Sequence, residues 1–331
     1  MAERTSTFQT DAEPDRDDRI TRSRRELYRE RLDLFVLTPL RVIWSDWRTR
    51  VGSLIILVWV FLGTVGYWLV SEPFPGDGPR MEPAFQSLEF PLGTTIRGES
   101  VFALVVQATP AMLVMITAGA VFSVAIATLV GTVSGYKGGR VDRALTVVTD
   151  IAMTIPGLPL IILLAALIEP THPVTVGIVL TINAWAGLAR AIRSQVLTLR
   201  DHSYVEASRI MGVPTRRIVV DDILPNIMPY VLVNFVQSAR GVIFGSVALY
   251  YLGVLPFSNE NWGVMLNDAY DSFGVFTSWE TAHWILAPMF AVVTLSFGLI
   301  LFAQGTERLF NPRIRARHAE TIDEDNMEGH R

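Results

Sequence analysis

Six blocks of apolar residues restrict this chain more than any other feature of its sequence. They fall at 51–70, 101–135, 144–168, 174–191, 227–252 and 283–302. Each is about the ~20 residues a helix needs to cross ~30 Å of hydrocarbon, or longer. Inside hydrocarbon every backbone N–H and C=O must find its partner within the segment or in a closed barrel, so apolar runs of this length read as helices. Half of the residues are hydrophobic, more than a soluble core of 331 residues needs. The expected fold class is all-α: a polytopic membrane protein with six transmembrane helices. At ~1.5 Å per residue the second block would span about 50 Å, so it must tilt, bend at Pro110 or project beyond the bilayer. Pro156 and Pro159 interrupt the third block, as a hinge or as a packing kink.

Several chemistries find no residues to support them. The chain has no cysteine, which leaves no disulfide framework and no thiolate chemistry, and its five histidines lack ligand spacing. No metal site is expected. "GTVSGYKGG" at 131–139 lacks the Gly-Lys-Ser/Thr order that cradles phosphate and magnesium, so the chain is not expected to hydrolyse ATP itself. HExxH, GxSxG and paired catalytic carboxylates are missing too, which argues against an enzyme. The net charge of −4 is unremarkable, and no nucleic-acid partner is expected. Lys137 is the only lysine among 28 basic residues, a compositional signature with little functional weight.

Arginine placement sets the expected orientation. With the N-terminus in the cytoplasm, the inside segments 1–50, 136–143, 192–226 and 303–331 hold nearly all Lys and Arg, and the outside ones hold only Arg80 and Arg97. The segment 253–282 has no basic residue but carries Glu260, Asp268, Asp271 and Glu280. Trp44, Trp47, Trp68 and Trp284 are expected at the interfaces, and His172 and His283 are read as interfacial rather than as ligands. No short apolar core with a cleavage site precedes the first block, so no signal peptide is expected. Residues 1–34 read as a disordered cytoplasmic tail. Residues 35–100 hold an amphipathic segment, the first crossing and an extracytoplasmic loop. Residues 101–303 form a core of five crossings with a cytoplasmic loop at 201–225, and 304–331 form a second tail.

That loop is unusual for a membrane protein: the stretch YVEASRIMGVPTRRIVVDDILPN is short, polar and helical in pattern. Ser203-x-x-Glu206 reads as a capping box that starts a helix at Ser203. Gly212 suits the left-handed turn that ends it, and Pro214 suits the first turn of a second helix. The second helix is expected to reach Ile223 and stop before Pro225. Tyr204, Ala207, Ser208 and Met211 share one face, whose small residues suit a cleft on a partner.

Glu206-Ala207-Ser208, then Gly212, then Ile223-Leu224-Pro225 resembles the EAA loop of binding-protein-dependent ABC importer permeases. Further stretches resemble the C-type subunit of dipeptide and oligopeptide permeases: "FPLGT" at 90–94, "GYKGGRVDRAL" at 135–145, "DIAMTIPGLPL" at 150–160, "ARAIRSQVLTLRDHSYVEAS" at 189–208, "YLG" at 251–253 and "NWGVMLNDA" at 261–269. Order and spacing hold from about residue 35 to residue 312. The resemblance implies a type I ABC importer (MetI-like) permease fold in the cell membrane, with both termini cytoplasmic. It implies a homologous sister permease subunit, two ABC ATPase subunits carrying the ATP and Mg, and an extracytoplasmic substrate-binding protein. This chain itself would bind no cofactor. The loop would be the coupling element, with Tyr204, Glu206, Ala207, Ser208, Met211, Gly212, Arg216, Arg217, Leu224 and Pro225 at or near the ATPase. The chain departs from the pattern at Phe90 (usually His), Thr95 (usually Asp), 96–100, Ser246 (often Glu) and Asp221-Asp222 (often basic).

Bland readings stand beside these. Glu206 can serve as capping partner alone, and Arg216 and Arg217 as solvated or headgroup contacts. Arg240 is the sharpest oddity, because a charge in mid-membrane is costly unless it faces water, the bundle interior or a partner. It either lines the pore or pairs with a polar group of the sister subunit; Asp150 and Glu169 have the right sign but the wrong depth. Asn183, Gln237 and Ser246 either line the path or bond between helices. Trp262 either packs at the translocation mouth or belongs to the core. A nickel-chelate or sugar cargo is the first alternative to peptides. A stand-alone channel or secondary carrier is the second, and it lacks the intramembrane carboxylates that ion coupling needs.

Overall fold

The computed structural model describes residues 46–256, 261–272 and 281–310, with side chains to Thr306. The two expected tails, apart from 304–310, and Trp44, Glu260 and Glu280 lie outside the described residues. The regular elements of the described residues are all helices, apart from one isolated antiparallel bridge between Thr94 and Ser100. Among the described residues four helices are long and apolar enough to cross a membrane: α1 (Trp47–Leu69), α2 (Val101–Lys137), α8 (Thr215–Tyr251) and α10 (His283–Phe310). Two bent pairs supply up to two more crossings. These are α3 (Gly139–Thr154) with α4 (Gly157–Ile168), bent by 82°, and α5 (Pro173–Leu180) with α6 (Trp185–Leu199), bent by 61°. The short helices α7 (Ser203–Ile210) and α9 (Trp262–Asp271) complete the set.

α2 is the axis of the bundle. Its 37 residues run unbroken through Pro110, as a helix longer than the membrane core. Glycines let its neighbours approach closely: a Cβ at Gly119 would stand 2.6 Å from the Gly177 carbonyl oxygen on α5, and one at Gly131 would stand 2.5 Å from that of Ala189 on α6. Small residues at such crossings are how membrane helices gain packing without a hydrophobic driving force between them. Thr181 donates to the Gly119 carbonyl at 3.1 Å across the first crossing. Two apolar clusters stack along α2. One holds Met112, Met115, Tyr250, Trp262 and Trp284, and the other Val124, Ala127, Ile192, Ile223 and Ile227.

One end of α2 is closed by the segment 71–100. Gly93 has φ +75, and a side chain there would strike the Glu82 carbonyl and the His283 ring. His283 Nε2 lies 3.0 Å from the Thr94 carbonyl oxygen and the residue is buried, so its ring packs within the chain. Thr95 donates to Glu99 at 2.9 Å, and Arg97 bridges Glu99 (3.4 Å) and Asp268 of α9 (2.8 Å). Burial pushes the Asp268 carboxyl pKa up, and the Arg97 charge pulls it part of the way back. Phe90 is buried against Gly78. At the other end of α2 lie Tyr136, Lys137 and the polar hairpin.

Three expectations about elements are corrected. Pro159 does not interrupt a helix: the break is at Ile155–Pro156, and Pro159 sits in the first turn of α4, where a missing N–H costs nothing. The fourth crossing is not one segment, because α5 ends at Leu180 and α6 carries on to Leu199, past the expected boundary at 191. The second hairpin helix does not stop before Pro225. It fuses with the fifth crossing through a π-helical stretch, Ile218–Ile223, and Pro225 falls at the start of the α-helical part. A wide π turn relieves the clash a proline ring makes with the preceding turn. Trp47 and Trp68 are exposed, as belt residues would be, but Trp284 is 2% exposed and belongs to the core.

Candidate functional site

The first hairpin helix begins at Ser203 as expected, but Ser203 does not cap it. His202 is the N-cap residue, and its carbonyl accepts from the N–H groups of Val205 and Glu206, each at 3.1 Å. Ser203 lies in the first turn, and among the described residues its hydroxyl makes no capping bond. Glu206 is exposed in that first turn, where the helix dipole favours its charge. The helix closes in a Schellman arrangement. Val213 N–H donates to the Ser208 carbonyl and Gly212 N–H to that of Arg209, each at 3.1 Å, with Gly212 at φ +74. No atom lies within 4 Å of where a Gly212 side chain would start, so the glycine is needed for its backbone angle and not for space.

Val205 (0% exposed) and Ile218 (1%) hold the hairpin in place, and Ile223 joins it to the second apolar cluster, with half-buried Leu224 beside it. The opposite side is open. Tyr204, Glu206, Ala207 and Arg209 are exposed, Ser208 is half-buried, and Ile210 (81%) and Met211 (73%) form an uncovered apolar tip. Ile210 was not among the expected docking residues. Its signal was there all the same: an apolar residue in the last turn before Gly212, off the buried face that Val205 marks. Arg216 and Pro225 are exposed, and Arg217 pairs with Asp221 at 3.2 Å. Asp221 therefore answers an arginine one turn away. The Asp222 backbone accepts from Asn226 at 2.6 Å, while partial desolvation of the Tyr204 hydroxyl and the Asp222 charge push its pKa up.

Two links tie the hairpin to the end of α2, and two ion pairs lie upstream of it. Arg200, just before it, donates to the Gly135 carbonyl at 3.1 Å. Arg209 stacks over the Tyr136 ring at 5.9 Å. Upstream on α6, Arg193 grips Asp142 of α3 through Nε (2.5 Å) and Nη2 (2.6 Å), and Ser134 of α2 donates to the same carboxylate at 2.5 Å. Arg190 pairs with Asp150 two turns further along α3. Asp142, Arg190 and Arg193 fall within the stretches that carry the resemblance but had no expected role, and Asp150 was weighed only as a partner of Arg240 at the wrong depth. Two arginines three apart and two aspartates eight apart each share a helix face, and that was the available signal. Between the hairpin and the end of α2 lies a polar cleft of about 740 Å³ that includes Lys137, Asp201 and Thr215.

The second expected group divides. Trp262 is fully buried, donates to the Val105 carbonyl at 3.3 Å and meets Trp59 edge-on at 5.0 Å, so within this chain it packs in the core. Ser246 is fully buried too and bonds back to the Ile243 carbonyl at 3.0 Å, so it lines no open path within this chain. Asn183 sits at the elbow between α5 and α6 and donates to the Ile155 carbonyl at the other elbow (3.2 Å), joining the two bent spans. Gln237 is exposed, and Arg240 donates to it at 2.9 Å. Asp150, held by Arg190, is not the partner of Arg240.

Residues 127–316 match the model of the family described as "binding-protein-dependent transport system inner membrane component". The matched region contains the hairpin, both arginine–aspartate pairs and Arg240. The chain is 28% identical to the dipeptide transport system permease protein of Bacillus subtilis over 274 residues, 81% of this chain and 83% of that protein. It is 29% identical to the oligopeptide transport system permease protein of Haemophilus influenzae, covering 83% of this chain and 90% of the relative. It is also 30% identical to the nickel transport system permease protein of Escherichia coli K12, covering 68% and 81%.

Proposed function

This chain belongs to the family of binding-protein-dependent transport system inner membrane components, and from that premise we propose that it is the permease subunit of an ATP-driven importer of dipeptides or oligopeptides. It pairs with a homologous sister subunit to enclose the path. An extracytoplasmic binding protein delivers the substrate, and two separate ATPase subunits supply the energy. The hairpin end faces the cytoplasm, as the arginine bias requires. The observation that carries this reading is the hairpin's uncovered tip, Ile210 and Met211, beside exposed Glu206 and Ala207. An apolar knob held rigidly on a polar face has no use in a lone channel, and it suits a groove on a partner.

The mechanism follows from how the hairpin is attached. The ATPases bind the two permease states unequally, and an equilibrium shifts only by such a difference. α7 moves with them. Arg200 and Arg209 pass the displacement to the end of α2, and Arg193–Asp142 and Arg190–Asp150 oblige α3 to follow α6. The elbows near Asn183 and Ile155 are where the bent spans can change angle. Gln237 and Arg240, on a half-open face of α8, line the path.

Peptides are the favoured cargo because two of the relatives above are named for peptides, and the one named for nickel is the source of the second reading. The test is uptake by the full importer in proteoliposomes. Binding-protein-dependent and ATP-dependent entry of labelled dipeptide is expected; entry of labelled nickel but not of peptide would replace the first reading with the second.

A further inference from the structure

We propose that Arg240 and Gln237 form a carboxylate-binding site at the middle of the membrane, and that its ligand is the C-terminal carboxylate of a peptide in transit. The inference rests on the importer reading above and names the chemistry by which the path holds its cargo.

The depth comes first. Arg240 lies about 20 Å of helix from Ile227 and about 17 Å from Tyr251, the limits of the apolar part of α8. A guanidinium at that depth needs an anion or water. Among the described residues none of the ion pairs reaches it: Asp150 is held by Arg190, Asp142 by Arg193 and Asp268 by Arg97. What Arg240 has is a neutral partner, the Gln237 carbonyl oxygen one turn back, at 2.9 Å through Nη1. Its Nε is buried and unbonded. A charged donor left without an acceptor is destabilising, so this guanidinium is held in the chain with its hydrogen-bonding capacity unfilled.

The setting leaves room for that group. Gln237, Gly241, Phe244 and Ala248 form one exposed stripe on α8, opposite the buried Ala239, Ile243, Ser246 and Tyr250. Beyond its two chain neighbours and its own helix backbone, no atom lies within 4 Å of where a Gly241 side chain would begin. A carboxylate entering there meets the planar fork of the guanidinium, which matches two oxygens at once. It meets the Gln237 amide as a further donor. Gln237 acts as a placeholder, a weak neutral partner that a carboxylate displaces and that returns when the substrate leaves. A site so built binds tightly enough to admit the cargo and loosely enough to release it.

The same chemistry could come from an acidic side chain of the sister subunit or from a lipid phosphate, and the experiment separates the sources. The complete importer, reconstituted in proteoliposomes, is given a labelled dipeptide or its C-terminal amide, each at a concentration shown to saturate the binding protein. The variants are Arg240→Met, Arg240→Lys and Gln237→Leu, each checked for assembly by co-purification with its partner subunits. The expected result is a drop of about tenfold or more in uptake of the free acid with Arg240→Met. Uptake of the amide should stay at the wild-type amide rate, Arg240→Lys should recover part of the loss, and Gln237→Leu should show a smaller loss confined to the acid. Equal losses for acid and amide overturn the proposal and assign Arg240 to a static pair with the sister subunit or a lipid. No loss for either also overturns it. If the wild type carries neither peptide, the peptide-importer reading itself has failed and the carboxylate site falls with it.

Discussion

The guanidinium of Arg193 grips the carboxylate of Asp142 from two sides, at 2.5 and 2.6 Å, and so fastens α6 to α3 directly upstream of the hairpin. Both side chains are largely covered, 30% and 18% exposed, and Ser134 of α2 completes the carboxylate. Three helices meet at one anion. Arg193→Met is predicted to lower stability by roughly 1–3 kcal/mol, because it leaves Asp142 in place without its main partner. Asp142→Asn should cost less, since an amide can still accept from Arg193. A thermal-unfolding series on the detergent-purified complex checks both. Equal midpoints for the variants and the wild type would contradict the pairing.

Gly212 offers a separation of backbone from bulk. At φ +74 any other L-residue is strained by about 1–2 kcal/mol, while the surrounding space is empty. Gly212→Asn is therefore predicted to retain more ATPase coupling than Gly212→Ala, and Gly212→Val should retain least. Substrate-stimulated ATP hydrolysis by the assembled importer gives the order directly.

Ile210 should behave as an interface residue. With 81% of its surface exposed it contributes little to folding, so Ile210→Asp is expected to change stability by no more than about 0.5 kcal/mol. It should nevertheless weaken co-purification with the ATPase subunits.

Trp262 should behave in the opposite way. Complete burial and its contact with Trp59 predict a loss of about 3–5 kcal/mol for Trp262→Ala and a smaller one for Trp262→Phe. A variant that lost transport while unfolding at the wild-type temperature would restore the translocation-mouth reading.

The Asp268 carboxyl carries a testable pH dependence. Burial holds its folded-state pKa above the ordinary value, so its contribution to stability is present at acid pH and fades as pH rises through the raised value. The Arg97 charge opposes that rise. Arg97→Met is thus predicted to shift the fade to higher pH, read from thermal midpoints across the acid range.

How much of this was legible in the sequence varied with the physics involved. The apolar blocks announced the crossings because hydrocarbon thickness fixes their length. Gly212 was legible because only a glycine takes that turn cheaply. The fusion of the hairpin's second arm with α8 was not, since Pro225 and Pro229 argue for an ending and only the π turn at Ile218–Ile223 reconciles them with a helix. The role of Trp284 was hidden too, because interfacial and buried tryptophans occupy the same sequence position relative to a helix start. The Asp142–Arg193 and Asp150–Arg190 pairs needed the 82° and 61° elbows, which no periodicity encodes.

The most direct measurement uses the lack of cysteine. Met211→Cys places a single thiol at the hairpin tip, and a short thiol-to-amine crosslinker is applied to membranes containing the permease with its ATPase subunits. Trp68→Cys, exposed on α1 away from the hairpin, is the control. The account predicts a crosslink to the ATPase from position 211, altered in yield when ATP is trapped, and none from position 68. A tip thiol that labels freely but never reaches an ATPase would contradict the claim that this hairpin joins the motor to the membrane path.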